Sequence, residues 1–374
     1  MEFSKLTNYL DSLKEKGIPS VDCIVYENHN LLYRHMNGEV DATKTVKIQG
    51  NEMYLMFSMT KVQTMTAIMQ LIEQEKISLE DPVSKYLPSY TNLMVEDQGT
   101  IRPTTVELKI KHLLSMQSGL DYNLERPGII RVLKEKGRQA TTRELVDAFT
   151  ESPLKFEPGE HFLYSLSHDV AAAIIEVVSG MSFGEYLKKY IWAPLQMHHT
   201  CFAKPMNDHI PHLAAQYICD EKGITQLMDS SCIYQLSDSY ESGGAGLASC
   251  TEDYAIFADT LASGGISKDG IRILKPETIE IMKTNLLCDA SLRDIANTMG
   301  RAGYGYACGV QVLMEPTSIH SLAPAGLFGW DGAAGSCIIM DTISKRSVVY
   351  TQHVRNCGLA YEEIHPTLRE LVFS

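Results

Sequence analysis

Ser58 and Lys61 stand three residues apart in Ser58-Met59-Thr60-Lys61, at the head of a run in which Val62, Met65, Ile68, Met69 and Ile72 recur at helical spacing. Residues three apart on a helix are neighbours, so the Lys61 amine can reach the Ser58 oxygen. A serine hydroxyl is a poor nucleophile until something takes its proton, and a desolvated lysine is one of the few side chains that can help. The chemistry on offer is acyl transfer through Ser58. Ordinary composition yields roughly one or two Ser-x-x-Lys matches by chance in a chain of this size, so context decides. In Ser152-Pro153-Leu154-Lys155 the internal proline and short flanks suit a loop, and that match is set aside. Ser58 instead follows the apolar Met53 to Phe57, a strand-like lead-in to a buried helix.

The elements that must position this pair follow from periodicity. An amphipathic helix is expected from about Ser4 to Lys16, ending at Gly17. Strands are expected around Asp22 to Tyr26 and Leu31 to Arg34, separated by the turn-rich Glu27-Asn28-His29-Asn30. From Ser58 to about Leu195 the pattern is helical, with start signals at Asp81-Pro82, Thr141-Thr142-Arg143-Glu144 and Ser182-Phe183-Gly184-Glu185. A helix from about His168 to Val178, apolar on most sides and ending at Gly180, should be central. Strand signals return at Gly309 to Met314, Ser336 to Met340 and Ser347 to Gln352, before a final helix near Tyr361 to Val372. Strands at both ends with helices between imply an α/β chain of the α+β type, with one antiparallel sheet built from both termini, flanked by helices, and a helical lobe inserted. The expected division is a single catalytic domain, 1–374, with an α/β lobe of 1–57 plus 240–374 and a mostly helical lobe of 58–239. A cleft between lobes is the expected ligand site.

Composition narrows the partners. The chain has 374 residues, 44% of them hydrophobic and 21% charged, which suits a globular protein rather than a disordered one. A net charge of −13 argues against nucleic acid or an anionic membrane, each of which needs a basic face. The opening Met1-Glu2-Phe3-Ser4-Lys5-Leu6 leads into a charged segment, and no run approaches the roughly eighteen apolar residues of a membrane span, so a cytoplasmic location is expected. Nine cysteines without a Cys-x-x-Cys pair indicate neither a disulfide framework nor a zinc ribbon. His198, His199, His209 and His212 lie in a loop-like stretch without a matching carboxylate or cysteine pattern, so no metal is expected, and acyl transfer requires no cofactor.

Six motifs in order carry a family resemblance over most of the length. They are Ser58-Met59-Thr60-Lys61; Ile110 to Leu120, ending Ser118-Gly119-Leu120; Phe156 to Ser165, containing Tyr164; Gly243 to Ser249 with Asp253-Tyr254; Gly303-Tyr304-Gly305-Tyr306; and Gly329-Trp330-Asp331-Gly332-Ala333-Ala334-Gly335. The chain resembles the serine β-lactamase and penicillin-binding-protein superfamily, specifically the class C β-lactamase and related esterase branch. The resemblance implies the β-lactamase/DD-peptidase-like fold, with Ser58 as nucleophile, Lys61 and Tyr164 as its activating groups, and the backbone N–H groups of Ser58 and Ala333 as oxyanion donors. Gly332 would let the strand pass close to a substrate. Tyr164, ordinarily a phenol of pKa about 10, could serve as a phenolate base if cationic or hydrogen-bonding neighbours favour that form; the sequence leaves the choice between Tyr164 and Lys61 open.

Two departures bear on substrate. The asparagine usual two residues after the tyrosine is Leu166, which cannot replace its hydrogen bonds. The usual Lys-Thr-Gly of the third motif is Trp330-Asp331-Gly332, where an aspartate facing the pocket would repel a carboxylate and Trp330 would offer a flat apolar wall. The expectation is a serine hydrolase with esterase or amidase preference, acting on a small-molecule ester, amide or lactam, its oligomeric state open. Its rivals are a true β-lactamase or D-peptidase that holds a carboxylate through His353 or Arg355, and a non-catalytic binding protein on the same fold.

Overall fold

The computed structural model describes residues 3–220, 223 and 225–374. Its largest sheet has seven antiparallel strands in the spatial order Tyr304–Tyr306, Gln311–Leu313, Phe328–Asp331, Cys337–Asp341, Arg346–Thr351, Ser20–Glu27 and Asn30–Gly38. The N-terminal hairpin joins the C-terminal strands through the register Asp22↔Thr351 to Glu27↔Arg346. The sheet is therefore assembled from both termini, as the strand signals at the two ends require. The hairpin turns on Asn28 and His29, both at positive φ (46° and 67°), the two-residue form whose twist matches its strands.

Alternation along Ser20–Glu27 explains the layers. Val21, Cys23 and Val25 pack with Leu6 and Leu10 of the helix Ser4–Ser12 and Leu368 and Val372 of the helix His365–Phe373. Ile24 joins the opposite core with Tyr254, Phe257 and Ala258 of the helix Thr251–Ala262. Beyond that helix lies the helical part. There Thr60–Glu73 is buried from Thr60 to Leu71 and packs against Ser167–Ser179. Two of its buried polar side chains reach other elements: Thr64 donates to Gly243 O at 2.7 Å, and Gln63 Oε1 accepts from Trp192 Nε1–H at 2.6 Å. A three-stranded sheet, Met53–Leu55, Leu247–Cys250 and Thr200–Phe202 with the second in the middle, lies where these layers meet and delivers the chain to Ser58.

Several elements differ from the sequence reading. The first helix stops at Ser12, and a turn closed by Ile18 N–H to Leu13 O (3.1 Å) reaches Gly17 instead. Within the stretch read as helical, Met94–Asp97 pairs with Thr100–Pro103 around Gln98-Gly99, both at positive φ. That glycine turn outweighed the helical pattern. Asp81-Pro82 opens no α-helix; the Asp81 carboxylate accepts from Ser78 N–H (2.8 Å) and Tyr86 OH (2.6 Å), and only the short 3₁₀ turns Val83–Lys85 and Pro88–Tyr90 follow. The capping boxes at Thr141 and Ser182 do form and start Thr142–Ala148 and Phe183–Leu187. The last helix is preceded by a π turn, Ala360–Ile364. Ser152 and Lys155 lie in a loop, with Lys155 N–H bonded to Gly119 O at 2.7 Å and its amine to Glu96.

Leu368, fully buried between the C-terminal helix and the sheet, tests which packing holds the termini together. Leu368→Ala should lower the unfolding free energy by about 2–5 kcal/mol, read as a lower urea midpoint at unchanged slope.

Candidate active site

Ser58 sits in a 3₁₀ turn, Phe57–Met59, between the strand Met53–Leu55 and the buried helix. Phe57 has φ +45°, a left-handed conformation that costs a non-glycine residue about 1–3 kcal/mol. It is held there by complete burial of its ring and by the Met56 N–H bond to Leu247 O at 2.8 Å. The third-motif turn closes over the same point. A Cβ on Gly332 would lie 2.4 Å from Met56 O, so only glycine lets Ala333 approach the serine turn. Within that turn Gly332 N–H bonds Ser336 O and Gly335 N–H bonds Gly332 O, each at 2.8 Å. Among the described residues neither the Ser58 nor the Ala333 N–H donates to a protein acceptor, which leaves both free for a developing oxyanion.

Lys61 is fully buried. Its Nζ lies 2.7 Å from Gly244 O, 3.1 Å from Tyr122 OH and 3.2 Å from Ser58 Oγ. It also sits 4.5 Å from the centre of the Tyr164 ring and 5.4 Å from that of Tyr122. Burial lowers the amine pKa to about 7, outweighing the attraction of Asp169 and Asp331. A carbonyl only accepts, so Gly244 holds one N–H of the neutral amine. If Tyr122 takes the second, the lone pair faces the Ser58 hydroxyl.

The Tyr164 hydroxyl accepts from Trp330 Nε1–H at 2.9 Å and is hydrogen bonded with Ser58. Burial nevertheless raises its pKa well above the ordinary phenol value, beyond what those two bonds offset. The phenolate considered from sequence is therefore not the resting form. The phenol carries its proton, and Lys61 is the group whose free base is available near neutrality.

The recognition residues are placed as follows. Trp330 is 1% exposed, edge-on to Tyr306 (5.0 Å between centroids) and bonded to Tyr164. It orients the phenol rather than standing as a free wall. The Asp331 carboxylate is paired with Arg301, and His365 Nδ1 lies 3.8 Å away. Its charge is answered inside the protein. Leu166 is buried, its N–H bonded to Asp121 O, and is not among the residues lining the cleft. His353 is committed to Ala214 O (2.9 Å) and Leu55 N–H (3.4 Å), and neither His353 nor Arg355 lines the cleft. The cleft itself, about 1060 Å³, is more apolar than polar and runs from Ser58 past Tyr122, Tyr164, Tyr234 and Trp330 to Arg301.

Sequence reasoning missed Tyr122, Gly244 and Arg301. Tyr122 lies two residues past Leu120 of the second motif, and Gly244 inside the fourth, where position alone gives no hint of a bond to Lys61.

A family model described as Beta-lactamase matches residues 6–356. Protein Rv1367c of Mycobacterium tuberculosis is 27% identical, covering 84% of this chain and 80% of its own. Esterase EstB of Burkholderia gladioli is 24% identical over 93% of this chain and 89% of its own. The solved structure of EstCE1, described as a hydrolase with promiscuous acyltransferase activity, superposes with a TM-score of 0.81 at 24% identity. It covers 100% of this chain and 98% of that one.

The Lys61 environment has a direct readout. In protein carrying ¹³C-labelled lysine, one ε-carbon resonance should titrate with a midpoint near 7 and vanish in Lys61→Met. If every lysine of the native protein titrates in the ordinary range, about 10.4, the buried-amine geometry is wrong.

Proposed function

Because the chain belongs to the Beta-lactamase family, we propose that it is a serine hydrolase that cleaves a small ester through an acyl-enzyme on Ser58. The observation that carries this reading is Lys61, a buried amine of pKa about 7 on the Ser58 oxygen. Similarity to an esterase and to a hydrolase with acyltransferase activity supports it.

The steps follow from the proton inventory. Lys61 takes the Ser58 proton as the oxygen attacks the ester carbonyl, and the oxyanion lies against the N–H groups of Ser58 and Ala333. As the C–O bond breaks, the Tyr164 phenol protonates the leaving alkoxide. The resulting phenolate is met by Trp330 Nε1–H and by the Lys61 ammonium under its ring. Water then attacks the acyl group and gives its proton to the phenolate, while Ser58 recovers its own from Lys61. Each group ends as it began. A second alcohol in place of water gives acyl transfer, which an apolar cleft favours.

Selection against β-lactams and D-alanyl peptides rests on the third motif. A substrate carboxylate finds no lysine at position 330, and the nearby guanidinium of Arg301 is engaged by Asp331. An ester without a carboxylate avoids that deficit.

Short-chain nitrophenyl esters should be hydrolysed at least tenfold faster, by kcat/KM, than nitrocefin or a D-alanyl amide. A fluorophosphonate should label Ser58. Ser58→Ala should abolish both turnover and labelling, and persistence of either refutes the acyl-enzyme. Only neutral Lys61 can accept a proton, so kcat/KM should fall about tenfold per unit below pH about 7. Tyr164→Phe should cut kcat by roughly 10²–10⁴ in a pre-steady-state and steady-state comparison.

A further inference from the structure

Away from the Ser58 cleft, strand pairing brings His199 against two side chains distant from it in sequence, the near neighbours Cys250 and Asp253. His199 precedes the strand Thr200–Phe202, Cys250 ends the strand Leu247–Cys250, and Asp253 lies in the first turn of Thr251–Ala262. The register Thr200↔Ser249 sets them side by side. Their ligand atoms, an imidazole nitrogen, a sulfur and a carboxylate oxygen, all fall within 4.8 Å of one another. None of the three lines the cleft.

The surroundings orient this cluster. Asp253 Oδ2 accepts from His199 N–H at 2.7 Å and from the Thr200 hydroxyl at 2.9 Å. That fixes the carboxylate and turns Oδ1 towards His199 Nδ1, 3.9 Å away. The Thr200 hydroxyl is itself tied to Ser249 at 2.7 Å. Cys250 Sγ accepts the Asp253 N–H at 3.4 Å. Cys250 and Asp253 are buried, while His199 is on the surface and gives access from solvent. Outer hydrogen bonds of this kind are what hold metal ligands in place.

We propose that His199, Cys250 and Asp253 form a binding site for a zinc-class divalent cation, with water completing four-coordination. The mixed donor set of imidazole, thiolate and carboxylate suits zinc, whose bonds of about 2.0–2.3 Å need only a small closing of the three side chains. On binding, the Cys250 S–H bond gives its proton to solvent and the sulfur lone pair goes to the ion; His199 and Asp253 donate lone pairs without further bond changes. The ion would pin the edge strand and the helix start to the end of Leu247–Cys250, the strand that follows the turn bearing Gly244.

The full chain, stripped of metal, is titrated with cobalt(II) as the probe and then back-titrated with zinc(II). One equivalent should produce near-ultraviolet thiolate-to-cobalt absorption with visible bands of a four-coordinate ion, displaced by zinc. Cys250→Ser should lose the thiolate absorption. His199→Ala, a change at an exposed position, should leave the fold intact by circular dichroism and weaken cobalt binding roughly tenfold or more. Absence of thiolate absorption in the native chain, its survival in Cys250→Ser, or unchanged affinity in His199→Ala each overturns the site.

Discussion

The structure is organised around a lysine amine with no access to water. Removing an ammonium from solvent is expensive, and the amine answers by giving up much of its affinity for a proton and by taking a backbone carbonyl as its acceptor. That arrangement sets demands on its neighbours. A Cβ at Gly244 would stand 2.7 Å from Asp169 Oδ2 and 3.0 Å from Tyr122 OH, so the turn that offers the carbonyl has no room for a side chain. Asp169 shapes the same turn from behind, accepting from Tyr240 at 2.7 Å and Ser242 at 2.6 Å. Two buried helices and a glycine turn thus meet at one nitrogen.

Beside it, the third motif has exchanged a cation for an internally balanced pair. Arg301 and Asp331 are both almost fully buried, and Arg301 also lies over the Trp330 ring, 5.8 Å from its centre. A buried pair of this kind adds little net stability, yet either member left alone would be strongly unfavourable. Its effect is on geometry. The carboxylate is neutralised by Arg301, Trp330 is fixed against Tyr164, and the strand Phe328–Asp331 leads straight into the turn bearing Ala333.

Much of this was legible in the sequence because it is local. Ser58 and Lys61 are joined by helical periodicity, and the terminal strands announce themselves by β-branched runs at the two ends of the chain. Tyr164 and Ala333 are candidates through motif order rather than through any local pattern. What could not be read is what depends on a partner elsewhere. Asp331 looks like a loose charge until Arg301, thirty residues earlier, is laid against it, and Tyr164 looks like a possible phenolate until its burial is known. His199 illustrates the same limit, since its neighbours Cys250 and Asp253 arrive through strand register. The hairpin at Met94–Pro103 failed for a different reason: its strands are short and its glycine turn sits inside apolar spacing that also fits a helix.

The seating of Ser20–Glu27 between Asn30–Gly38 and Arg346–Thr351 has a bearing on how the molecule is made. Asp22 and Thr351, bonded in the finished sheet, are separated by 329 positions. During synthesis the hairpin emerges long before Arg346–Thr351, so one border of Ser20–Glu27 stays unoccupied until that strand is made. Until then the early β-segment needs temporary shelter, and any truncation that removes the tail leaves that border open for good.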